Sequence, residues 1–261
     1  VYAAFASKDA DPLRVNPQRE NFKEGDENLE VYYLIMEYID GKMLCDVEEE
    51  LKYNVLVTKQ IGKMLGEQLR RLRSVPPEDP THFGSVGGKG YKQLLPVFAH
   101  PPAPDFGYYG PFKSYEECVK RLIHTAKVDM ALSETGTDYS PRTKLLLEKA
   151  SSALLDHIEP SDRLPVLSHL DVQGRNIMVK LIRDEQGKAV DVEEVVMIDW
   201  ESLCWMPSWY EAGDFCFQSH APVEFYSRVA HSALPLMGHV NMLTVAFFGE
   251  CVGSAFFLYH A

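Results

Sequence analysis

The chain has 261 residues, 46% of them hydrophobic and 11% aromatic, enough to bury a substantial core as one large domain or one domain with part of another. Twenty-six basic against 38 acidic residues give a formal charge of -12, a field that disfavours nucleic acid or anionic membrane as the main partner and suits a cationic ligand. No apolar run reaches the length of a membrane-spanning helix. The five cysteines, Cys45, Cys118, Cys204, Cys216 and Cys251, show no CxxC or Cys/His metal spacing. With no signal peptide at the start, they predict a reducing, cytoplasmic compartment.

In chain order, residues 8 to 28 are polar and rich in helix breakers, and read as an exposed loop. The apolar, β-branched run from Val31 to Ile39 predicts a strand closed by Asp40-Gly41. Leu51, Val55, Thr58, Ile61, Leu65, Leu69 and Leu72 recur at helical spacing, which predicts one long amphipathic helix over 49 to 74 with Arg70, Arg71 and Arg73 in its last turns. Residues 78 to 113, with GSVGGKG and HPPAPDFGYYGPF, form an irregular excursion too long for a plain connection. Ser114 and Glu117 make a capping box for a helix to about Leu132. Ser140-Pro141 opens another toward His157. A short β region follows: PVLSHLDVQGRNIMVKLI, a turn at RDEQGK, and VEEVVMIDWE. The tail from Pro222 is apolar and predicts one or two core helices.

The chemistry concentrates in that β region. Asp171 precedes Asn176 by five residues, with Gly174 easing the turn, and a strand starts at once. The return strand places Asp199 at its end. Two carboxylates and an amide oxygen thereby converge, as phosphoryl transfer requires: oxygen ligands for Mg2+ and an acceptor that positions the attacking hydroxyl. In this reading Asp171 orients the hydroxyl and takes its proton, and Asn176 and Asp199 hold the metal. His169 fits a buttress, bonded to backbone or to the Asp199 region, better than acid/base work. Glu201, two residues beyond Asp199, shares its face if the strand continues and either assists the metal or meets a cationic substrate. Trp200, Trp205, Trp209 and Tyr210 read mainly as core, and Glu211 and Asp214 as ties for the loop after the site.

Two rival chemistries are weaker. His169, Asp171 and a distant His220 or His231 could make an iron-binding facial triad, but that site belongs in a jelly roll, whose many short strands are missing here. No Ser or Cys sits in a nucleophile elbow.

The stretch from His169 to Asn176, HLDVQGRN, resembles the catalytic loop of the aminoglycoside phosphotransferase-like family, commonly HGDLHPGN, and IDWESLCWMPSWYE from Ile198 to Glu211 is similar to its metal segment. GSVGGKG with the later GPFKSYEE resembles the insert of the family's fungal branch. The resemblance implies an α+β, protein-kinase-like fold: a mostly helical large lobe with a short catalytic β-hairpin region, and an incomplete N-terminal β lobe. It assigns residues 1–41 to a remnant of the nucleotide-binding lobe and hinge, and 42–261 to the catalytic and substrate lobe with an insert at about 78–113. Asp171 takes the catalytic aspartate's place, Asn176 and Asp199 those of the metal ligands, and Met36, Glu37, Tyr38 and Ile39 that of the hinge meeting adenine. The implied activity is transfer of the ATP γ-phosphoryl group to a hydroxyl of a small molecule. An acidic cleft with Glu201 and Glu211 would suit an amine-bearing acceptor.

Departures accompany the likeness. Leu170 and Arg175 stand where the family often has glycine, and Gln173 where it often has histidine; Arg175 brings a cation beside Asn176, directed at phosphate or solvent. No Gly-rich phosphate loop, ATP-gripping lysine or glutamate partner precedes the hinge. Lys8 and Lys23 lie in the predicted loop, and GSVGGKG follows the long helix, the wrong context for such a loop. Two expectations compete: a fragment of a kinase whose natural start lies upstream of Val1, and a non-catalytic, pseudokinase-like binding or scaffold protein.

Overall fold

The computed structural model describes residues 3–7, 31–35, 37–88, 90–91, 110–133, 141–218 and 224–237. The loop expected over 8 to 28 and the tail beyond residue 237 lie outside the described residues. The chain divides into two units, Val1–Asp40 and Gly41–Ala261. In the first, β1 (Ala3–Ser7) and β2 (Val31–Ile35) pair antiparallel, Ala3 opposite Ile35 and Ser7 opposite Val31. The strand expected to reach Ile39 stops at Ile35, and residues 37–40 are irregular.

The second unit opens with β3 (Lys42–Met43), a 3-10 turn and α1 (Glu48–Leu51), followed by α2 (Val55–Arg73). The single helix expected over 49 to 74 is thus two, parted at Asn54. The Asn54 side chain accepts the Val57 N–H at 3.3 Å and donates to the Ala189 carbonyl at 2.9 Å. An asparagine that caps one helix and ties it to a distant strand does more there than inside a continuous helix, where its amide competes with the backbone.

After β4 (Gly84–Ser85), Phe83 and Phe112 exchange both backbone hydrogen bonds, at 2.9 and 2.8 Å, closing the base of the excursion. Then come α3 (Tyr115–Ser133), α4 (Pro141–Asp156), β5 (Pro165–Ser168), β6 (Ile177–Arg183), β7 (Ala189–Met197), β8 (Cys204–Pro207), α5 (Tyr210–Gln218) and α6 (Glu224–Ala233). The cap of α3 differs from the expected box: Ser114 accepts from the Glu117 N–H, but the Glu117 carboxylate takes the Lys113 N–H instead of that of Ser114.

Two three-stranded antiparallel sheets result, ordered β3-β6-β7 and β4-β8-β5. The fold is therefore mixed α/β, with more strand than the sequence suggests. β8, CWMP, is a strand that the sequence reading does not single out; it pairs antiparallel with β5, Val166 opposite Met206 and Ser168 opposite Cys204, and buries Cys204 and Met206 in the cluster that also holds Trp209 and Tyr210.

Buried side chains form two clusters. One unites Ile61, Leu65 and Leu69 of α2 with Ile177, Val179, Val195 and Met197 of the hairpin and Phe225 and Val229 of α6. The other gathers Phe83, Tyr115, Leu122, Cys204, Met206, Trp209 and Tyr210. Each large apolar side chain so buried contributes about 1.5–3 kcal/mol. Leu170 belongs to the second cluster and Val172 to the first. The loop carrying Asp171 is consequently pinned on both sides, with the aspartate between the pins.

Candidate active site

The site begins where β5 ends. His169 is fully buried, and Leu170 adopts a left-handed conformation with φ 60. That reversal turns two successive N–H groups, of His169 and Leu170, onto one oxygen: Glu211 Oε1 accepts them at 2.5 and 3.1 Å. Successive backbone N–H groups in such a turn form a concave nest for an anion; a carboxylate from the first turn of α5 fills this one.

Glu211 is 1% exposed. Burial pushes its carboxyl above the ordinary value, while Arg73 and the two N–H groups pull it back. Arg73, at the end of α2, donates to the Ser208 carbonyl at 2.6 Å, and burial lowers its pKa against the opposing pull of Glu211 and Asp162. Glu211 therefore does not line an acidic cleft as expected. A carboxylate buried to this degree, with one oxygen given to the backbone, is closed to a solvated ammonium. It ties down the loop before Asp171, where a tie for the loop after the site was expected.

The imidazole of His169 is spent on the backbone. Its Nδ1 accepts the Asp171 N–H at 3.2 Å, and its Nε2 lies 2.9 Å from the Ile198 carbonyl. With Nδ1 accepting, the proton sits on Nε2, the neutral tautomer that donates to Ile198. The ring thus spans from the loop to the residue preceding Asp199, and Trp200 packs edge-on against it at 4.6 Å. This leaves no nitrogen for iron. Of the other proposed ligands, His220 lies outside the described residues, and His231 belongs to no metal-holding group of three among the described residues.

Asn176 joins the two acidic stretches. Its amide nitrogen donates to Asp171 Oδ2 at 2.6 Å and to the Asp171 carbonyl at 3.0 Å, and its own carbonyl accepts the Ile198 N–H at 2.9 Å. The amide oxygen takes no part in either contact with Asp171. The hairpin register, Ile177 opposite Met197, carries the same alignment outward to Asp199. Asp199 is exposed and left-handed, φ 63 and ψ 64, and its carboxylate bonds to no side chain among the described residues. Glu201 is exposed in the 3-10 turn that follows, so the chain has left the strand and no shared strand face relates it to Asp199. Arg175 Nη2 reaches both oxygens of Asp171, at 3.3 and 3.1 Å.

Gly174 is needed for a reason other than turn geometry. No left-handed φ occurs there, but an added Cβ would lie 2.5 Å from the Tyr226 hydroxyl on α6. Of the expected adenine-facing segment, Met36 lies outside the described residues, while Glu37 and Tyr38 are exposed and Ile39 is half-buried within the first unit. GSVGGKG belongs to the second unit, with Gly84-Ser85 paired to β8 and Gly87 and Gly88 in left-handed turn conformations.

Among the described residues no group of three His, Cys, Asp or Glu side chains forms a ready metal cage. The donors here are instead one amide oxygen and exposed carboxylate oxygens. Such a set suits a hard cation that keeps several waters and completes its shell with phosphate, as Mg2+ does. Sequence reading missed Tyr226, and it placed Arg73 at a helix end without its part in the site; both roles depend on contacts far along the chain with no local signal.

Among the described residues no helix is long and apolar enough to cross a membrane. No curated protein matches the chain. The profile of the phosphotransferase enzyme family, APH, matches residues 2–243. A loop and hairpin of this construction and a match over most of the length agree: the chain belongs to the phosphotransferase enzyme family.

Proposed function

We propose that this phosphotransferase moves the γ-phosphoryl group of ATP to a hydroxyl of a small molecule, with Mg2+. The observation that carries the reading is Asn176, whose side-chain amide nitrogen fixes the Asp171 carboxylate on one side while its backbone carbonyl holds the Ile198 N–H, next to Asp199, on the other. Asp171 orients the acceptor hydroxyl and takes its proton as the acceptor oxygen bonds to phosphorus and the bond from phosphorus to the departing ADP oxygen breaks. Asn176 and Asp199 are the residues that would hold the metal; when bound, it would neutralise charge on the phosphates. His169 is a positioning residue, fixing the loop relative to Ile198. Glu37, Tyr38 and Ile39 are carried into the proposal as the adenine-facing backbone on the family likeness alone. With Glu211 buried, an amine-bearing acceptor rests on Glu201.

The test is ATP turnover across a panel of small hydroxyl compounds. Asp171→Asn should lose turnover and keep nucleotide binding, and Asp199→Asn should lose metal-dependent nucleotide binding as well. Unchanged turnover in both variants would sink the assignment of Asp171 and Asp199, and no turnover by the wild type with any compound would return the chain to a binding or scaffold role.

A further inference from the structure

Arg175 is a cation placed directly on the carboxylate that the proposed chemistry needs free. Its side chain is 59% exposed, against 19% for Asp171. The contact is made by one nitrogen, Nη2, shared between Oδ1 and Oδ2, whereas a guanidinium can present two parallel donors to a carboxylate. Nε and Nη1 have no partner among the described residues. Asp171 Oδ2 is already held by Asn176, so Arg175 adds little to its positioning. Exposed pairs of this kind hold their partners weakly. Two unused donors, a weak hold on Asp171 and an exposed position beside the hydroxyl's landing point describe a group waiting for a second oxyanion.

We propose that Arg175 is an oxyanion-recognising residue on the acceptor side of Asp171. When the acceptor hydroxyl engages Asp171, the guanidinium shifts its free donors to a neighbouring oxyanion. That oxyanion is supplied either by the phosphoryl group in transfer or by an acidic group on the acceptor. The inference rests on the proposed role of Asp171, but its test needs no turnover. Neutralising Asp171 releases Nη2 and removes a repelling charge, so anion binding should then tighten more when Arg175 is present than when it is absent.

The experiment is titration of inorganic phosphate into the chain, read by 31P line shift, for the wild type, Arg175→Ala, Arg175→Lys, Asp171→Asn and the double variant Asp171→Asn with Arg175→Ala. Arg175→Ala is expected to weaken phosphate binding tenfold or more, and Arg175→Lys to restore part of it because charge survives and the fork does not. Asp171→Asn should tighten binding, and the same change made on Arg175→Ala should give a clearly smaller gain. Acetate as competitor separates the sources: displacement of phosphate at equal concentration assigns the oxyanion to an acidic acceptor, and failure to displace assigns it to the phosphoryl group. No saturable phosphate binding by the wild type, or equal binding by Arg175→Ala, overturns the inference. Loss of phosphate binding in Arg175→Ala together with unchanged ATP turnover in Asp171→Asn and Asp199→Asn would leave the anion site standing and sink the catalytic reading instead.

Discussion

Removing the Glu211 side chain is the sharpest test of how the loop before Asp171 is held. Glu211→Ala strips the acceptor from two buried N–H groups, those of His169 and Leu170, and an unpaired buried donor costs about 1–3 kcal/mol. It also takes the nearest opposing charge from buried Arg73, while relieving the penalty of burying the carboxylate. The net expectation is about 2–5 kcal/mol, mainly from leaving two such donors unpaired, out of roughly 5–15 kcal/mol that a domain commonly has. Glu211→Gln keeps an amide oxygen for both N–H groups and should lose only about 1–2 kcal/mol, the difference between charge-assisted and neutral hydrogen bonds. Urea unfolding followed by tryptophan fluorescence measures both. Alanine and glutamine variants of equal stability would show that the N–H groups do not depend on this carboxylate.

The same group makes a pH prediction. Burial holds the folded Glu211 carboxyl above its ordinary value, so its stabilising contribution is full below the unfolded pKa and is lost as pH rises through the folded one; the wild-type advantage over Glu211→Gln should narrow with rising pH, and a widening gap in urea midpoints would contradict it. At Leu170, φ 60 penalises any side chain, so Leu170→Gly should be milder than Leu170→Ala by about 1 kcal/mol, although both empty the same buried space. Thermal melts reversing that order would remove the strain. Gly62→Ala would drive a Cβ into the Val229 carbonyl of α6. It should cost about 1–3 kcal/mol by overpacking, measured as a fall in melting temperature. Gly174→Ala should be partly rescued by Tyr226→Phe, since the hydroxyl is the nearest obstacle, and melts of the double variant check this.

The hairpin around residues 177 to 197 was legible because antiparallel pairing across a short turn is a local event, written in alternating apolar residues on both sides of RDEQGK. The nearness of Asn176 to the Asp199 stretch follows from the same register. Glu211 was found as a residue and misread in place: an acidic side chain after a motif looks like substrate chemistry, and only burial beneath His169 and Leu170 shows otherwise. Arg73 was legible as the basic end of a helix, where cations oppose the helix dipole. Its partners, Ser208 and Glu211, stand more than a hundred residues away, and no periodicity reports such a meeting. The break at Asn54 was hidden for a related reason, since apolar spacing continues across it and the Ala189 carbonyl that rewards the break comes from β7.

The left-handed backbone at Asp199 governs how that position can be altered. Asparagine and glycine accept such a conformation readily, and longer side chains accept it poorly. The exchange that chemists usually regard as gentlest, aspartate for glutamate, is therefore the one that disturbs the chain itself, while asparagine leaves the main chain at rest and changes only the charge. In a saturation library sorted first for soluble protein and then for activity, position 199 should pass Asn and Gly through the first gate and stop them at the second. A residue whose permitted neighbours in shape are all defective in charge is one where folding and chemistry can be read separately from a single codon.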